Sequence, residues 1–137
     1  MRCGGCGAKV GATVLSRALG SLVTLERDDV LIGLGSPDDA AVVRVPPGMA
    51  VVQTVDFFRA FIDDPYVFGQ IAANHALGDV YAMGGKPILA LALVGMPINV
   101  LSTQTIGRVL EGGASVCRTA GIPIAGGHTI DSVEPIY

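Results

Sequence analysis

Three short apolar runs near the start of the chain constrain the fold more than any other feature. They cover residues 30–34, 40–45 and 49–55, and turn signals separate them at Gly35-Ser36-Pro37-Asp38 and at Pro46-Pro47-Gly48. Apolar runs of this length between glycine, proline and aspartate are typical of β-strands that follow one another in a sheet. The pattern therefore predicts three adjacent antiparallel strands.

The remainder of the chain alternates between helical and extended patterns. We expect three helices and two further strands, over 12–22, 66–83 and 103–120 and over 88–94 and 122–125 respectively. Ser102 is placed to cap the last helix, and Asp63-Asp64-Pro65 is typical of the acidic start of the helix before it. With strands paired without crossovers and helices on one face, the predicted fold class is α+β with a mostly antiparallel sheet.

Composition excludes several classes of protein. The 137 residues are 50% hydrophobic and 15% charged, which is too apolar for a disordered chain. A net charge of -3, with 5% aromatic residues and no tryptophan, argues against binding to nucleic acid. The longest uncharged stretch, 87–107, has an apolar part over 88–96 that is too short to cross a membrane. We expect one globular domain whose exposed apolar surface is covered by a partner domain or subunit.

The first ten residues form a segment of their own. Their three glycines argue against a helix or strand, so residues 1–10 are predicted to be a mobile arm. The arm lacks the apolar stretch of a secretory signal, and the cysteines are therefore expected in a reducing cytoplasm. Cys6 and Lys9 lie in this arm, and a nearby ammonium favours the thiolate of a cysteine. They indicate either a nucleophile that closes over a substrate or a terminus without function.

The other two cysteines carry weaker signals. Cys3 with Cys6 makes a poor zinc or redox site, because no second pair of cysteines accompanies it. Cys117 lies on the apolar face of the last predicted helix and is expected to be an inert core residue.

The helix over 66–83 carries a carboxylate among apolar residues. At about 3.6 residues per turn, Asp79 falls on one narrow face with Phe68, Ala72 and His75. Burying a carboxylate costs free energy unless it is paired, hydrogen-bonded or bound to a metal. Asp79 is therefore either a functional residue or the cap of a neighbouring loop. His75 is expected to be a core histidine hydrogen-bonded to the main chain.

Acidic residues also stand at the ends of two predicted strands. Asp38 and Asp39 precede the second strand, and Asp56 follows the third. Together with Asp79 they predict a cluster of oxygens for one or two cations. Mg²⁺ fits because it combines a few carboxylates with phosphate oxygens and water. Each aspartate also has an ordinary alternative role in a turn or at a helix start.

A glycine-rich segment follows the last predicted strand. Gly126, Gly127, His128 and Thr129 are predicted to form a turn whose N–H groups and hydroxyl bind phosphate. The other glycine pair, Gly84-Gly85, lacks the spacing of a P-loop and indicates a helix stop.

Read together, these residues resemble the selenophosphate synthetase family. The aspartate motifs are shared with a wider superfamily that includes thiamine-monophosphate kinase and aminoimidazole ribonucleotide synthetase. Three motifs are specific to the selenophosphate synthetase family. They are the cysteine–lysine arm, the Asp-Asp-Pro motif and Gly126-Gly-His-Thr-Ile-Asp131. The matching stretches are Cys6-Gly-Ala-Lys9, Asp38-Asp-Ala-Ala41, Gln53-Thr-Val-Asp-Phe-Phe58, Asp63-Asp-Pro65, Phe68-Gly-Gln-Ile-Ala-Ala73, Gly78-Asp-Val-Tyr-Ala-Met-Gly-Gly-Lys-Pro87, and Ala125-Gly-Gly-His-Thr-Ile-Asp131 with Glu134-Pro135.

The resemblance implies an activity and a set of site residues. The activity is the ATP-dependent conversion of selenide to selenophosphate, with AMP and orthophosphate as the other products. Cys6 would be the catalytic thiol and Lys9 the essential lysine, which also contacts the nucleotide. The positions that correspond to Mg²⁺- and phosphate-binding aspartates are Asp39, Asp56 and Asp79. Those near the nucleotide are Thr54, Gly126, Gly127, His128 and Thr129.

The same resemblance implies a domain organisation. Residues 11–137 would be the N-terminal ATP- and Mg²⁺-binding domain, whose sheet pairs with a second subunit in a barrel-like homodimer core, and the C-terminal domain of the family is absent. The fragment alone is expected to be inactive. Ala8 stands where members often carry a second cysteine, which leaves the catalytic role to Cys6, and His75 stands where an asparagine is common. Two alternative interpretations are another ATP-dependent enzyme of the superfamily, such as thiamine-monophosphate kinase, and an inert dimerisation domain.

Overall fold

The computed structural model describes Thr13, Arg17 and the residues numbered 27–34 and 40–137. Its elements follow one another as β1 (Val30–Ile32), β2 (Ala41–Val45), β3 (Met49–Gln53), α1 (Pro65–Ala82), β4 (Ala90–Met96), α2 (Thr103–Thr119) and β5 (Ile124–Asp131). From β1 onward, the element types and their order agree with the sequence prediction. Thr13 and Arg17 have helical backbone and exposed side chains. The other residues of the predicted first helix, and the predicted arm over 1–10, lie outside the described residues.

The first three strands form an antiparallel sheet in the order β1-β2-β3, as predicted. Val45 pairs with Met49, so Pro46-Pro47-Gly48 closes a tight hairpin between β2 and β3. Gly48 takes a φ of +73°, which glycine adopts without the steric cost that a Cβ would bring.

The last two strands form a separate, parallel sheet. β4 pairs with β5 in the register Leu93↔His128 and Val94↔Thr129, and α2 is the crossover between them. The prediction of strands paired without crossovers is therefore wrong for this half of the chain. A helix of 17 residues carries the chain back along β4, so the next strand starts at the same end. The fold is mixed, with a three-stranded antiparallel sheet, a two-stranded parallel sheet and two helices over residues 27–34 and 40–137.

β5 contains the glycine pair that was predicted to form a turn, so that prediction is wrong. From Ile124 to Gly127 the strand advances three residues while β4 advances two, from Ala90 to Ala92, which marks a β-bulge. Gly126 and Gly127 have φ values of +153° and +156°. A Cβ on Gly127 would lie 1.9 Å from the carbonyl oxygen of Ala92. The bulge and the close approach of β4 explain why glycine occupies both positions.

The larger core cluster lies between α1, α2 and one face of β4. Phe68 and Met96 are the largest fully buried side chains among the described residues. The two helices cross so closely that a Cβ on Gly69 would lie 2.0 Å from the carbonyl oxygen of Val109. Leu91 and Leu93 are exposed, so the outer face of β4 has no cover within the described chain.

α2 begins at the predicted cap Ser102, and α1 begins in the predicted acidic segment, where Asp64 is the cap. The Asp64 carboxylate accepts hydrogen bonds from the backbone N–H groups of Tyr66 and Val67, and the Ser102 hydroxyl accepts one from Thr105. The chain leaves α1 through Gly84, which has a φ of +69°, and this confirms the predicted helix stop.

Cys117 is buried against Leu77 and Ile122, as predicted for a core residue. Burial raises the pKa of its thiol, which keeps it protonated and unreactive. Over the described part of the chain, neither helix has the length and hydrophobicity that a membrane span requires.

Candidate functional site

The segment that follows β3 presents alternate side chains to α1. Thr54 and Asp56 are partly buried and Phe58 is buried, whereas Val55 and Phe57 are 63% and 54% exposed. This alternation is that of an extended chain with one packed face, although the segment forms no continuous strand. It brings one hydroxyl, one carboxylate and one aromatic ring to the same side of the chain.

Two polar contacts join this segment to α1. The Thr54 hydroxyl donates to Oδ2 of Asp79, with 2.7 Å between the oxygens. Nε2 of His75 lies 2.8 Å from Oδ2 of Asp56. His75 and Asp79 are one helical turn apart, on the face that the sequence pattern predicts. The segment and the helix therefore contribute one carboxylate each, and each of these helix residues faces one residue of the segment.

Asp56 is the more buried of the two partners in its pair. Its side chain is 14% exposed and that of His75 is 31% exposed. Oδ1 accepts a hydrogen bond from the backbone N–H of Phe57 at 3.1 Å. Oδ2 is buried, and among the described residues the 2.8 Å approach of His75 Nε2 is a close contact without the geometry of a hydrogen bond. A buried carboxylate oxygen of this kind is costly by itself, and a cation would satisfy it.

The imidazole of His75 is held by an aromatic ring as well as by a carboxylate. The rings of Phe58 and His75 meet edge to face, with 4.9 Å between their centroids. Phe58 is itself buried and packs with Phe68 and Ala72. The sequence prediction gave His75 a main-chain partner, and the structure sets its Nε2 against a carboxylate.

The carboxylate ligands fit Mg²⁺, but the set of ligands is incomplete within the described residues. Asp56 and Asp79 provide hard carboxylate oxygens in partly buried positions, which is the chemistry that Mg²⁺ prefers. No group of three or more histidine, cysteine, aspartate or glutamate residues lies close enough to hold a metal over 27–34 and 40–137. The third predicted ligand, Asp39, lies outside the described residues, and so do Cys6 and Lys9. Phosphate oxygens and water commonly complete such a magnesium site.

The predicted phosphate-binding segment lies elsewhere. Gly126 to Thr129 run along β5, and His128 lines an open pocket of about 230 Å³ whose other walls are apolar. The pocket is lined by Phe57, Leu93, Val94, Gly95, His128, Ile130 and Ile136. Phe57 neighbours Asp56, but it occupies the opposite side of the extended segment. Neither Asp56 nor Asp79 lines the pocket, so the structure brings together only part of the predicted nucleotide site.

Sequence reasoning singled out Asp56 and Asp79 but missed the contacts that Thr54 and His75 make with them. The signal was present as the two-residue period of Thr54, Asp56 and Phe58, set against the four-residue spacing of His75 and Asp79. Two residues of extended chain and four residues of helix span nearly the same length, so such pairs can meet when an extended chain lies along a helix.

Comparisons with known proteins bear on the identity of the chain. The sequence profile described as AIR synthase related protein, N-terminal domain, matches residues 37–137. A selenide, water dikinase of Burkholderia orbicola (strain MC0-3) is 61% identical over 135 residues, which make up 98% of this chain and 38% of the relative. A selenide, water dikinase of Pseudomonas straminea is 57% identical over 136 residues, again 98% of this chain and 38% of the relative. This chain thus spans well under half the length of these relatives.

The fold has a counterpart among solved structures. AaThiL complexed with AMPPCP and TMP superposes with a TM-score of 0.70 at 22% identity, over 90% of this chain and 37% of that chain. Identity this low supports a shared fold alone. The similarity to selenide, water dikinases over almost the whole chain confirms the resemblance drawn from the motifs. The chain belongs to the family of AIR synthase related proteins, whose N-terminal domain it contains over residues 37–137.

Proposed function

We propose that this chain is the N-terminal ATP- and Mg²⁺-binding domain of an enzyme that makes selenophosphate from selenide and ATP, releasing AMP and orthophosphate. The observation that carries the proposal is the identity of 57% and 61% to chains named selenide, water dikinase over 98% of this chain. A reducing cytoplasm, where the thiols would stay free, is the compartment we propose.

The described part of the site supports a role in binding charged phosphates. Asp56 and Asp79, together with Asp39, are the residues that would hold Mg²⁺. When bound, the ion would neutralise phosphate oxygens, which is most of what phosphoryl transfer asks of a protein. Thr54 and His75 hold the two carboxylates from the other side. Lys9 and the segment from Gly126 to Thr129 are proposed contacts to the nucleotide, carried over from the family resemblance.

The reaction with selenide is assigned to the N-terminal arm. Cys6 is the proposed catalytic thiol and Lys9 the cation beside it, since a nearby ammonium favours the thiolate. Cys117, by contrast, is buried in the described core and its thiol pKa is raised by burial, so it does not serve as the nucleophile.

A homodimer and a second domain complete the proposal. The outer face of β4 exposes Leu91 and Leu93, and Ile130 of β5 is exposed beside them. Apolar side chains in a row on one sheet face are typical of a surface that another subunit covers. We propose that this face contributes to a barrel-like dimer core, and that the C-terminal domain supplies the rest of the active site.

The test uses the full-length protein that carries this chain. Selenide-dependent formation of AMP from ATP is expected, and Cys6→Ser should abolish it. Cys117→Ser is the matched control, because it changes the same atom away from the site and should leave turnover intact once folding is verified. Phosphorylation of thiamine monophosphate without need of Cys6 would favour the kinase alternative. Absence of nucleotide turnover and binding would favour the inert dimerisation domain.

A further inference from the structure

We infer that Thr54 and His75 are positioning residues that fix the orientation of Asp79 and Asp56 toward a shared cation. The inference rests on the proposed role of these aspartates in binding Mg²⁺. In this inference the Thr54 hydroxyl orients the Asp79 carboxylate. The family resemblance places the same position near the nucleotide. The inference also gives a role to His75, which stands where asparagine is common.

The first argument is the match of two spacings. Thr54 and Asp56 are two residues apart in an extended chain, a distance of about 6.6 Å at about 3.3 Å per residue. His75 and Asp79 are four residues apart on a helix, a rise of about 6 Å at about 1.5 Å per residue. The two spacings are therefore nearly equal, which lets both contacts form between the same two elements.

The second argument is the alternation of donor and acceptor. The segment contributes a donor, Thr54, to the carboxylate of α1, and α1 contributes a nitrogen, from His75, to the carboxylate of the segment. Each element thus holds the acid of the other. Two carboxylates that bind one cation repel each other before it arrives, and a donor beside each one offsets that repulsion.

The third argument is that the His75 ring is itself held. Phe58 packs against the imidazole with 4.9 Å between ring centroids, and Phe58 is 5% exposed within the core. On the other side, the Phe57 backbone N–H fixes Oδ1 of Asp56. Both oxygens of the Asp56 carboxylate are therefore contacted, Oδ1 by the Phe57 N–H and the buried Oδ2 by Nε2 of His75.

Removal of a donor should loosen one carboxylate without dismantling the fold. Groups that orient metal ligands typically contribute 10- to 100-fold in metal affinity. We therefore expect Thr54→Val and His75→Leu each to weaken the binding of Mn²⁺ by about tenfold. Thr54→Ser, which keeps the hydroxyl, and His75→Asn, which keeps an amide donor, should stay within about threefold of the parent.

The experiment measures Mn²⁺ binding to the full-length protein in the presence of AMPPCP, by electron paramagnetic resonance of the free ion. Asn74→Leu is the control for His75→Leu, because it places the same side chain on the exposed neighbouring position of α1. Thermal unfolding without metal accompanies each variant. The Thr54→Val and Thr54→Ser pair serves as the test if His75→Leu does not fold.

The outcomes separate this inference from the proposed function. If Asp56→Asn retains Mn²⁺ binding, the cation is not held there, and both the proposed metal role of Asp56 and the positioning inference fail. If Asp56→Asn loses binding while Thr54→Val and His75→Leu bind like the parent, the proposed site stands and the positioning roles are wrong. A tenfold loss in Thr54→Val or His75→Leu, restored in the conservative variant and absent in Asn74→Leu, supports the inference.

Discussion

α1 makes two contacts that work by opposite means, one at Gly69 and one at His75 and Asp79. The first contact joins α1 to α2 through glycine, and a Cβ on Gly69 would collide with the backbone at Val109. The second contact joins α1 to the segment after β3 through polar side chains, with His75 against Asp56 and Asp79 against Thr54. Close packing of the two backbones stabilises the fold. Partly buried carboxylates, in contrast, provide groups that can bind a ligand but lower the stability of the fold. One helix therefore separates the requirements of folding from those of binding.

Substitution of the two glycines of α1 is expected to give the largest effect on this contrast. In Gly69→Ala the new Cβ would lie 2.0 Å from the carbonyl oxygen of Val109, so the helices must separate. We expect the free energy of unfolding to fall by about 3 kcal/mol or more. In Gly78→Ala nothing lies within 4 Å of the new Cβ, and the helix should gain about 0.5–1 kcal/mol. Urea unfolding of both variants checks the difference, and equal effects would contradict the packing account.

The polar contact between α1 and the segment after β3 should show the opposite behaviour. Asp56→Asn keeps the size of the side chain and an acceptor for the Phe57 N–H, but removes the charge. We expect Mn²⁺ affinity to fall by about 100-fold or more, and the free energy of unfolding without metal to stay within about 1 kcal/mol of the parent. Isothermal titration and urea unfolding give the two values. A large loss of stability in the metal-free protein would mean that Asp56 serves the fold.

The contrast between local and distant interactions explains what the sequence could predict. The helix starts at Asp64 and Ser102 involve hydrogen bonds between residues two or three positions apart, and the predicted acidic start and the predicted cap are both confirmed. The parallel pairing of β4 with β5 depends on residues more than thirty positions apart, such as Leu93 and His128. The glycine pair looked like the end of β5 because glycine marks turns and bulges alike. The end of that strand was therefore placed too early.

The site follows the same rule. Asp56 and Asp79 could be singled out because a carboxylate at a strand end or on an apolar face is unusual by itself. Their contacts with Thr54 and His75 were missed, since Thr54 and Asp79 are 25 positions apart and no single window of sequence contains the contact. The roles of Cys6 and Lys9 came from a motif and stay predictions, because these residues lie outside the described part of the chain.

The smallest expected effect concerns Tyr137, which ties the two regions together. Its backbone pairs with that of Phe58, through bonds of 2.9 and 3.0 Å, and its hydroxyl lies against α2 where a Cβ on Gly113 would meet it at 2.2 Å. Burial and the nearby Cys117 raise the pKa of Tyr137 above its ordinary value. Because ionisation is disfavoured in the folded state, the stability from this group is complete below the unfolded pKa of about 10. It is lost as the pH rises through the higher folded value.

Tyr137→Phe should therefore flatten the alkaline side of the stability profile. Urea unfolding at intervals from pH 7 to 11 should show the parent losing stability faster than the variant above about pH 9.5. The difference should grow as the pH rises through the unfolded pKa of about 10, because only the parent has a phenol whose pKa is raised by folding. Tyr81→Phe is the control, because Tyr81 is 54% exposed on α1 and makes the same chemical change at the surface. Parallel curves for the parent and Tyr137→Phe would show that the phenol ionises without opening the contact with α2, and the helix crossing would then be independent of the segment that carries Asp56.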